Sequence, residues 1–399
     1  MPIKPLADLT EADLLSLIGV EQEGKVLEFK AQLALARDAE RKEFLYDLSS
    51  FANASGGHII FGMPEQGGFA TGIAPIQVPD VDAEQLRIEN IVRSGIAPRM
   101  SFSLRAVPVS PSGYVWVFHI PRSWSMPHMV TFQDSSRFYS RNSAGKYLVD
   151  VGELRALFAR SRDVAETMRH FRIERTSAIL AGEGPVRMAD EQKLILHVYP
   201  FSAIGTPVSV DLGTVLHNNQ NLMRPLGRTN GFGGRYNLDG VLSASPTDQR
   251  GDVIAYMQFY RDGRVEAVRS SELLLNPARR DLIDGPAAIS AALVRLVERT
   301  LKLYEITKIE PPLAVFVTLA RVKGCVMPIQ YSAGEAIDRD VVNAPEVILE
   351  SLKDNVAECM RPALDAIWNA AGYERCNFYD DAGHLMPDFQ NYLDANSIL

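Results

Sequence analysis

The feature that most constrains the fold is a predicted helix that stops at a glycine pair and leads directly into a short apolar strand. Residues 39–53 carry apolar side chains at helical spacing and charged side chains on the other faces, which predicts an amphipathic helix. The apolar positions are Phe44, Leu45, Leu48, Phe51 and Ala52. Gly56 and Gly57 can take left-handed backbone angles and end the helix. Residues 58–62 then predict an apolar strand, so the chain must combine helix and sheet.

Short strands and helices alternate through the rest of this region. In residues 26–30, Leu27 and Phe29 share the inward face of a predicted strand, whereas Glu28 and Lys30 share the other face. The pattern then predicts a helix, two hairpin strands, another strand and a charged helix, in that order. These elements are expected at residues 81–94, 102–108, 114–120, 137–142 and 151–172. The mixture predicts an α+β domain.

The second half of the chain predicts another α+β domain with an interior of its own. Four strands and two long helices are expected there. The strands are at residues 194–199, 254–260, 264–268 and 313–319, and the helices are at 287–304 and 345–371. We therefore predict an N-terminal domain at residues 1–162, a helical connector at 163–186 and a C-terminal domain at 187–399. No motif in the second half assigns it a function.

Composition limits the classes of function. The 49 Asp and Glu residues outnumber the 41 Lys and Arg residues, and the formal net charge is −8. Such a chain does not coat nucleic acid through a broadly basic surface, so any contact must be local. Its apolar stretches are shorter than the roughly 20 residues that cross a bilayer, and its three cysteines have neither metal nor disulfide spacing. We expect a soluble, cytoplasmic protein with no membrane partner.

Three glutamates form the candidate catalytic and metal site. Glu23 and Glu28 flank Gly24, which can turn the chain, so a loop carboxylate and a strand carboxylate can converge. With Glu65 they offer the oxygen ligands that Mg²⁺ or Mn²⁺ prefers, and such ions activate water for phosphodiester cleavage. Lys30 shares the strand face with Glu28, where it pairs with that carboxylate or meets a phosphate. Surface charges of an acidic chain explain the same residues, so spacing alone does not decide.

Two motifs and one later segment have a specific order and spacing. They are Glu23-Gly24-Lys25-Val26-Leu27-Glu28-Phe29-Lys30, Phe51-Ala52-Asn53-Ala54-Ser55-Gly56-Gly57-His58-Ile59-Ile60-Phe61-Gly62, and Arg137-Phe138-Tyr139-Ser140-Arg141-Asn142-Ser143-Ala144-Gly145 followed by Glu153-Leu154-Arg155. Together they resemble the divergent AlbA-type domain of Schlafen-related proteins over roughly the first 160 residues. The resemblance implies association with nucleic acid and matches the acidic triad of Schlafen nucleases to Glu23, Glu28 and Glu65. At the third position the chain departs from the family, because Met63-Pro64-Glu65 stands where consecutive acids are frequent.

A set of basic and aromatic residues is the candidate contact for the nucleic acid. Arg137, Tyr139 and Arg141 alternate on the predicted strand, so they share one face and could present two guanidinium groups and a ring to RNA or DNA. With Lys25 and Lys30 they form the predicted nucleic-acid-binding set. A solvated, partly paired face explains the same alternation.

Three functions are consistent with these features. The first is a Schlafen-like nuclease that depends on Mg²⁺ or Mn²⁺, with RNA a more expected substrate than DNA because of the resemblance. The second is a non-catalytic DNA- or RNA-binding module in regulation or defence, including defence against phage, with structural carboxylates. The third is nucleotide binding coupled to signalling or assembly, which the absence of a Walker-type Gly-Lys-Ser/Thr sequence weakens. The resemblance also implies that two copies pair as a homodimer.

Two polar residues outside this set are interpreted as structural. Asn53, with the glycines after it, could bring N–H groups near a phosphate, but a helix stop before a strand needs such residues for geometry alone. His128 has no second histidine at ligand spacing, so it is expected to pack rather than to catalyse.

Overall fold

The computed structural model describes residues 6–133, 136–204, 210–227, 231–270, 286–328, 334–380 and 383–395. The chain divides into two compact units, Met1–Ala165 and Glu166–Leu399. Helices and strands occur in both units, which confirms the predicted α+β class. None of the helices within the described residues is long and apolar enough to cross a membrane.

The helices and strands of the described residues are named in chain order. The helices are α1 (Glu11–Leu15), α2 (Asp38–Ala52), α3 (Val81–Gly95), α4 (Val151–Leu180), α5 (Pro286–Thr307), α6 (Val356–Cys359), α7 (Arg361–Ala370) and α8 (Pro387–Ala395). The strands of the first unit are β1 (Leu27–Lys30), β2 (Gly57–Phe61), β3 (Glu65–Gln66), β4 (Phe69–Ala70), β5 (Ile96–Ala97), β6 (Ser103–Pro108), β7 (Tyr114–Ile120), β8 (Met129–Val130), β9 (Arg137–Asn142) and β10 (Gly145–Leu148). The strands of the second unit are β11 (Lys193–Pro200), β12 (Gly233–Tyr236), β13 (Gly240–Ala244), β14 (Ala255–Tyr260), β15 (Val265–Ser270), β16 (Leu313–Ala320), β17 (Val341–Asn343) and β18 (Val347–Leu349).

The first unit contains a four-stranded sheet in the order β1-β2-β7-β6. β1 runs parallel to β2, and α2 lies in the crossover that such a pair requires. β2, β7 and β6 are antiparallel neighbours, and the pairing of β6 with β7 confirms the predicted hairpin. A second sheet, in the order β10-β9-β8-β5, contains the strand predicted at residues 137–142 as β9.

The two faces of the first sheet pack against different apolar clusters. Leu27 and Phe29 of β1 are buried in one cluster with Leu14 of α1. Phe44 of α2 and Phe118 of β7 belong to the other cluster, with ring centroids 5.6 Å apart. A register slip of one residue in β1 would carry its charged side chains into an apolar cluster, so the alternation fixes the register. The charged face of β1 therefore lies on the side of α2.

The stop between α2 and β2 requires its two glycines. Gly56 and Gly57 have φ angles of +70° and +145°, which L side chains rarely adopt. A Cβ atom added at Gly57 would lie closer than 3.0 Å to the main chain of Val26. The glycine pair thus lets β2 approach the residue that precedes β1, as the sequence predicted for a structural turn.

Asn53 and His128 are part of the same buried framework. The Asn53 side chain accepts a hydrogen bond from His128 N–H at 2.7 Å and donates to the carbonyl oxygens of His128 and Tyr139 at 2.9 and 2.8 Å. His128 Nδ1 lies 2.8 Å from the carbonyl oxygen of Pro98, and its Nε2 lies 2.5 Å from Ser123 Oγ. A carbonyl oxygen only accepts, so Nδ1 is the protonated nitrogen of neutral His128. Both residues have the structural role that was predicted.

The second unit contains a large antiparallel sheet in the order β12-β13-β14-β15-β11-β16-β17, with β18 also paired to β16. β11 is buried along its whole length between β15 and β16. α5 shares the main apolar cluster with this sheet, which confirms the helix predicted at residues 287–304. β12 and β13 are short strands that the sequence did not predict.

The helix predicted at residues 345–371 is wrong over its first part. Val347–Leu349 is strand β18, which pairs antiparallel with Leu313–Val315 of β16. Helical structure begins only after Asn355, whose side chain caps α6, and a proline at residue 362 then opens α7. The apolar residues of β18 fit a helical period as well as a strand period. Only the distant partner strand decides between the two.

Candidate nucleic-acid site

Glu28 lies on β1 with both carboxylate oxygens bonded to cations. Its Oε1 lies 2.7 Å from Lys30 Nζ, and its Oε2 accepts a hydrogen bond from Arg141 Nη1 at 2.7 Å. Burial raises the pKa of Glu28, but the hydrogen bonds and charges of Lys30 and Arg141 outweigh burial and hold the pKa below its usual value. Glu28 is therefore ionised at neutral pH.

Arg141 reaches Glu28 from β9 and is itself buried, with 4% of its surface exposed. Its Nη2 donates to the carbonyl oxygen of Gly24 at 3.1 Å, and its guanidinium carbon lies 3.6 Å from the ring centroid of Phe51. A guanidinium over an aromatic face gains a cation–π attraction. Arg141 thus connects β9 to the loop before β1 and to α2.

Two further residues complete what we call the β1 charge cluster, defined as Glu28, Lys30, Asp47, Arg141 and Lys146. Asp47 of α2 is 2% exposed and lies 3.2 Å from Lys30 Nζ and 2.5 Å from Lys146 Nζ. Burial and the charge of Glu28 raise the pKa of Asp47, against the opposing charges of Lys146 and Lys30. Burial lowers the pKa of Lys30, but Asp47 and Glu28 more than reverse this and raise it. The cluster alternates acid and base across two sheets and one helix.

Glu23 and Glu65 lie near this cluster, on the loop before β1 and on the β3–β4 hairpin. Glu23 Oε1 accepts a hydrogen bond from Phe29 N–H at 2.7 Å, and Glu65 Oε2 accepts one from Gly68 N–H at 2.9 Å. Burial raises the pKa of Glu23, the Phe29 N–H opposes this, and the charges of Glu65 and Glu28 raise it further. Glu23 therefore lies close enough to Glu28 and to Glu65 to be affected by the charge of each.

The geometry of the three glutamates differs from a closed ligand set. Among the residues that the structure describes, no group of three or more His, Cys, Asp or Glu side chains is placed to hold a metal ion. Glu28 instead has both oxygens on cations of the chain. The oxygens are of the class that Mg²⁺ and Mn²⁺ prefer, and dependence on either ion stays a prediction.

The predicted nucleic-acid-binding residues have three different environments. Lys30 and Arg141 belong to the β1 charge cluster and are engaged with carboxylates. Lys25 and Arg137 are exposed. Tyr139 is half-buried, with its ring centroid 4.3 Å from that of a tyrosine on α2. Lys25 and Arg137 are directly accessible to a polyanion. Lys30 and Arg141 already contact carboxylates, so a phosphate group has to compete with those contacts.

Sequence reasoning missed two members of the β1 charge cluster and one neighbour. The helical pattern places Asp47 on a polar face of α2 without giving it a role, and no motif points to Lys146. Lys146 also contacts Glu43, which lies four residues before Asp47. Two acids at this spacing share one side of a helix. The four-residue spacing of Glu43 and Asp47 was therefore the sequence signal that α2 presents two carboxylates to a neighbouring strand.

Comparison with known protein families finds a match within the first unit. The family model described as Schlafen, AlbA_2 matches residues 23–150. This match includes the two motifs and confirms the resemblance that they carry. Residues 151–399 lie outside the match. Among curated proteins, none matches the chain.

Two solved structures have a distant likeness to the chain. One is the solution structure of the N-terminal domain of a RecG-related protein from Nitrosomonas europaea, at 18% identity and a TM-score of 0.25, covering 34% of this chain and 88% of that domain. The other is the crystal structure of the DIP2311 protein from Corynebacterium diphtheriae, at 11% identity and a TM-score of 0.26, covering 86% of this chain and 84% of that one. Neither likeness is close enough to define the fold or the function of this chain.

Proposed function

We propose that the first unit binds nucleic acid at the β1 charge cluster and at the exposed residues Lys25 and Arg137. Support comes from the Schlafen AlbA_2 match over residues 23–150. Lys and Arg side chains make the contacts to phosphate that dominate affinity for nucleic acid. Three such side chains lie together in the cluster, which suits a local contact by a chain with a net charge of −8. RNA is the expected substrate ahead of DNA, following the family resemblance.

Metal-dependent cleavage is the reaction that we assign to this site, and the coupling of Glu23 to Glu65 and Glu28 is the observation that carries it. Besides burial, the charges of Glu65 and Glu28 help to raise the pKa of Glu23, and a carboxylate beside like charges attracts a cation. Carboxylate oxygens suit Mg²⁺ or Mn²⁺. Glu23, Glu28 and Glu65 would hold the ion, which when bound activates water and neutralises charge on the phosphate. Lys30 orients the Glu28 carboxylate and offers a positive charge to a phosphate oxygen.

Binding without cleavage is the second candidate, and the pairing of Glu28 favours it. Both Glu28 oxygens already accept from Lys30 and Arg141, so the carboxylate already has the role of a structural anion. In that case Glu28 fixes the two cations in place, and the cations contact phosphate. The two candidates share a binding surface and differ in whether the acids hold a metal ion.

Cleavage of labelled tRNA, single-stranded RNA and DNA by the full-length protein tests both candidates. The reactions contain Mg²⁺ or Mn²⁺, with EDTA as one control. Glu23→Gln and Glu28→Gln remove one charge each and keep the side-chain size. Asp82→Asn is the matched control, because Asp82 is an exposed carboxylate in the first turn of α3, outside the cluster.

The two candidates predict different outcomes. Nuclease function predicts cleavage that EDTA abolishes. The cleavage rate should fall by at least about 100-fold in Glu23→Gln and Glu28→Gln, which is the size of effect typical of a group acting in the reaction. The rate of Asp82→Asn should not change. Binding without cleavage predicts retention of the probes by all four proteins and no product with either metal. Absence of binding to every probe contradicts both candidates.

A further inference from the structure

A cavity of about 240 Å³ lies within the second unit, where the end of α4 and the segment after it meet the sheet. Its walls include the aliphatic side chains of Ile179, Val186 and Met188, and Lys193 and Tyr256 line it from the sheet. An apolar protein cavity of about 150 Å³ holds a benzene molecule. This cavity therefore admits a molecule with a single ring or a short aliphatic chain.

Lys193, the first residue of β11, places its amine in this wall. It is 3% exposed, and its Nζ donates to the carbonyl oxygen of Ala189 at 2.6 Å and to Ser270 Oγ at 3.1 Å. Within the described ranges it forms no ion pair, although buried lysines are usually paired with an acid. Two hydrogen bonds leave the lone pair of a neutral amine without a partner.

The surroundings of Lys193 favour the neutral amine. Burial lowers its pKa, and the charge of Arg321 lowers it further, against the opposing charges of Asp190, Glu191 and Asp252. Each unit by which a lysine pKa falls increases the neutral fraction about tenfold at a given pH. A neutral lysine amine in a desolvated pocket is a nucleophile toward carbonyl carbon.

A buried hydrogen-bond network holds Tyr256 in the wall of the cavity. The Tyr256 hydroxyl donates to Glu266 Oε1 at 2.8 Å, so its proton is already committed. Glu266 also accepts from Arg175 at 2.8 and 3.0 Å and lies 3.2 Å from His197 Nε2. A site whose supporting residues are fixed in this way loses little freedom when it binds a ligand. The cavity is therefore preorganised.

We propose that Lys193 forms an imine with a small aldehyde or ketone that carries an apolar substituent. The Nζ lone pair attacks the carbonyl carbon, the carbonyl π electrons move to oxygen, and one proton passes from nitrogen to that oxygen. The C=N bond then forms as the hydroxyl group leaves with the second N–H proton as water. Amine and carbonyl compound thus give imine and water without an oxidant or reductant. Ser270 Oγ donates to the Ala189 carbonyl oxygen at 2.9 Å, so that oxygen keeps a partner after both N–H protons are lost.

Reductive trapping with benzaldehyde tests this site, which is independent of the function proposed for the first unit. The full-length protein is incubated with benzaldehyde and sodium cyanoborohydride near neutral pH, and peptide mass spectrometry measures benzylation at each lysine over time. We expect Lys193 to be modified several-fold faster than the exposed lysines Lys323 and Lys353. Burial alone predicts the reverse order. Modification of Lys323 and Lys353 with Lys193 left intact would overturn the proposal.

Two controls separate the cavity from general lysine reactivity. Excess benzyl alcohol fills the same space without a carbonyl group, so it should slow the modification of Lys193 and leave Lys353 unchanged. No protection at Lys193 would show that the cavity does not bind the ligand. Lys193→Arg keeps N–H donors at this position but forms no such imine, and the exposed lysines of this variant should react as in the wild type. If this variant fails to fold, the modification rates measured on the lysines of the wild-type protein still test the proposal.

Discussion

Glu28 and Arg141 form a 2.7 Å ion pair across 113 residues of sequence. The pair joins β1 of one sheet to β9 of the other within the first unit. Glu28 is a candidate metal ligand and Arg141 a predicted nucleic-acid contact, so the two candidate roles meet in one interaction. Removal of either partner affects the stability of the unit as well as the site.

Arg141→Leu should destabilise the first unit by about 2–4 kcal/mol, because it leaves Glu28 with one cation and the Gly24 carbonyl oxygen without its donor. Arg137→Leu is the matched control, since Arg137 is exposed on the same strand and should change stability by less than about 0.5 kcal/mol. Urea unfolding of the full-length chain measures both. Equal stabilities of the two variants would show that the buried pair contributes little.

Glu266 should make the second unit sensitive to acid. Burial raises its pKa, but hydrogen bonds and charges from His197 and Arg175 reverse this and lower it from 4.5 to about 2. The folded state therefore resists protonation, so this stabilisation is complete above the unfolded pKa and is lost as the pH falls through about 2. The shift corresponds to about 3 kcal/mol.

Glu266→Gln provides the test of that pH dependence. The amide keeps the size of the side chain but cannot ionise, so at neutral pH the variant should be about 3 kcal/mol less stable than the wild type. Unfolding free energies measured from neutral pH down to strongly acidic pH should show this difference shrink as the solution is acidified. Parallel profiles would mean that Glu266 is not the titrating group.

His58 should titrate far below an ordinary histidine. Burial lowers its pKa to about 4, and His119, whose ring centroid is 4.7 Å away, adds to this effect. The unfolded chain binds that proton near pH 6.5, so stability should decrease as the pH falls from 6.5 to about 4. NMR titration of the His58 ring measures the pKa directly. His119→Gln should raise it only in part, because the burial remains; a wild-type value near 6.5 would refute the assignment.

Gly57→Ala should destabilise the first unit by roughly 2–4 kcal/mol, since the added Cβ meets the Val26 main chain in a backbone region that alanine avoids. Gly72→Ala is the control, because a Cβ at Gly72 meets no atom within 4 Å. Thermal unfolding of the two variants by circular dichroism compares them. A fall in melting temperature of the same size in both would mean that strain at Gly57 is unimportant.

Local sequence patterns were sufficient for much of the first unit. The alternation in residues 26–30, the helical spacing before the glycine pair and the hairpin of β6 and β7 each depend on neighbours within a few residues. The motif that contains Asn53 and Gly57 also carried the family resemblance, because glycines with positive φ are needed at fixed positions. These signals do not require knowledge of which strands meet.

Contacts between distant segments were beyond the reach of the sequence. The burial of Arg141 depends on Glu28 and Phe51, which lie far from it along the chain. The strand that replaced the start of the helix at residues 345–371 depends on β16 in the same way. Nothing in the sequence indicated a site at Lys193. A lysine at the start of an apolar strand is expected to be exposed, and only the structure shows the cavity beside it.

The three hydrogen bonds of the Asn53 side chain change how genetic data on this domain should be interpreted. Asn53 lies within the most recognisable motif, yet its amide is fully engaged with the main chain of His128 and Tyr139. A screen for inactive variants would recover Asn53 substitutions together with those at a true reactive group. Only a measurement of protein abundance or proteolytic resistance alongside activity would separate the two. In Asn53 variants, we expect any loss of activity to come with a loss of folded protein.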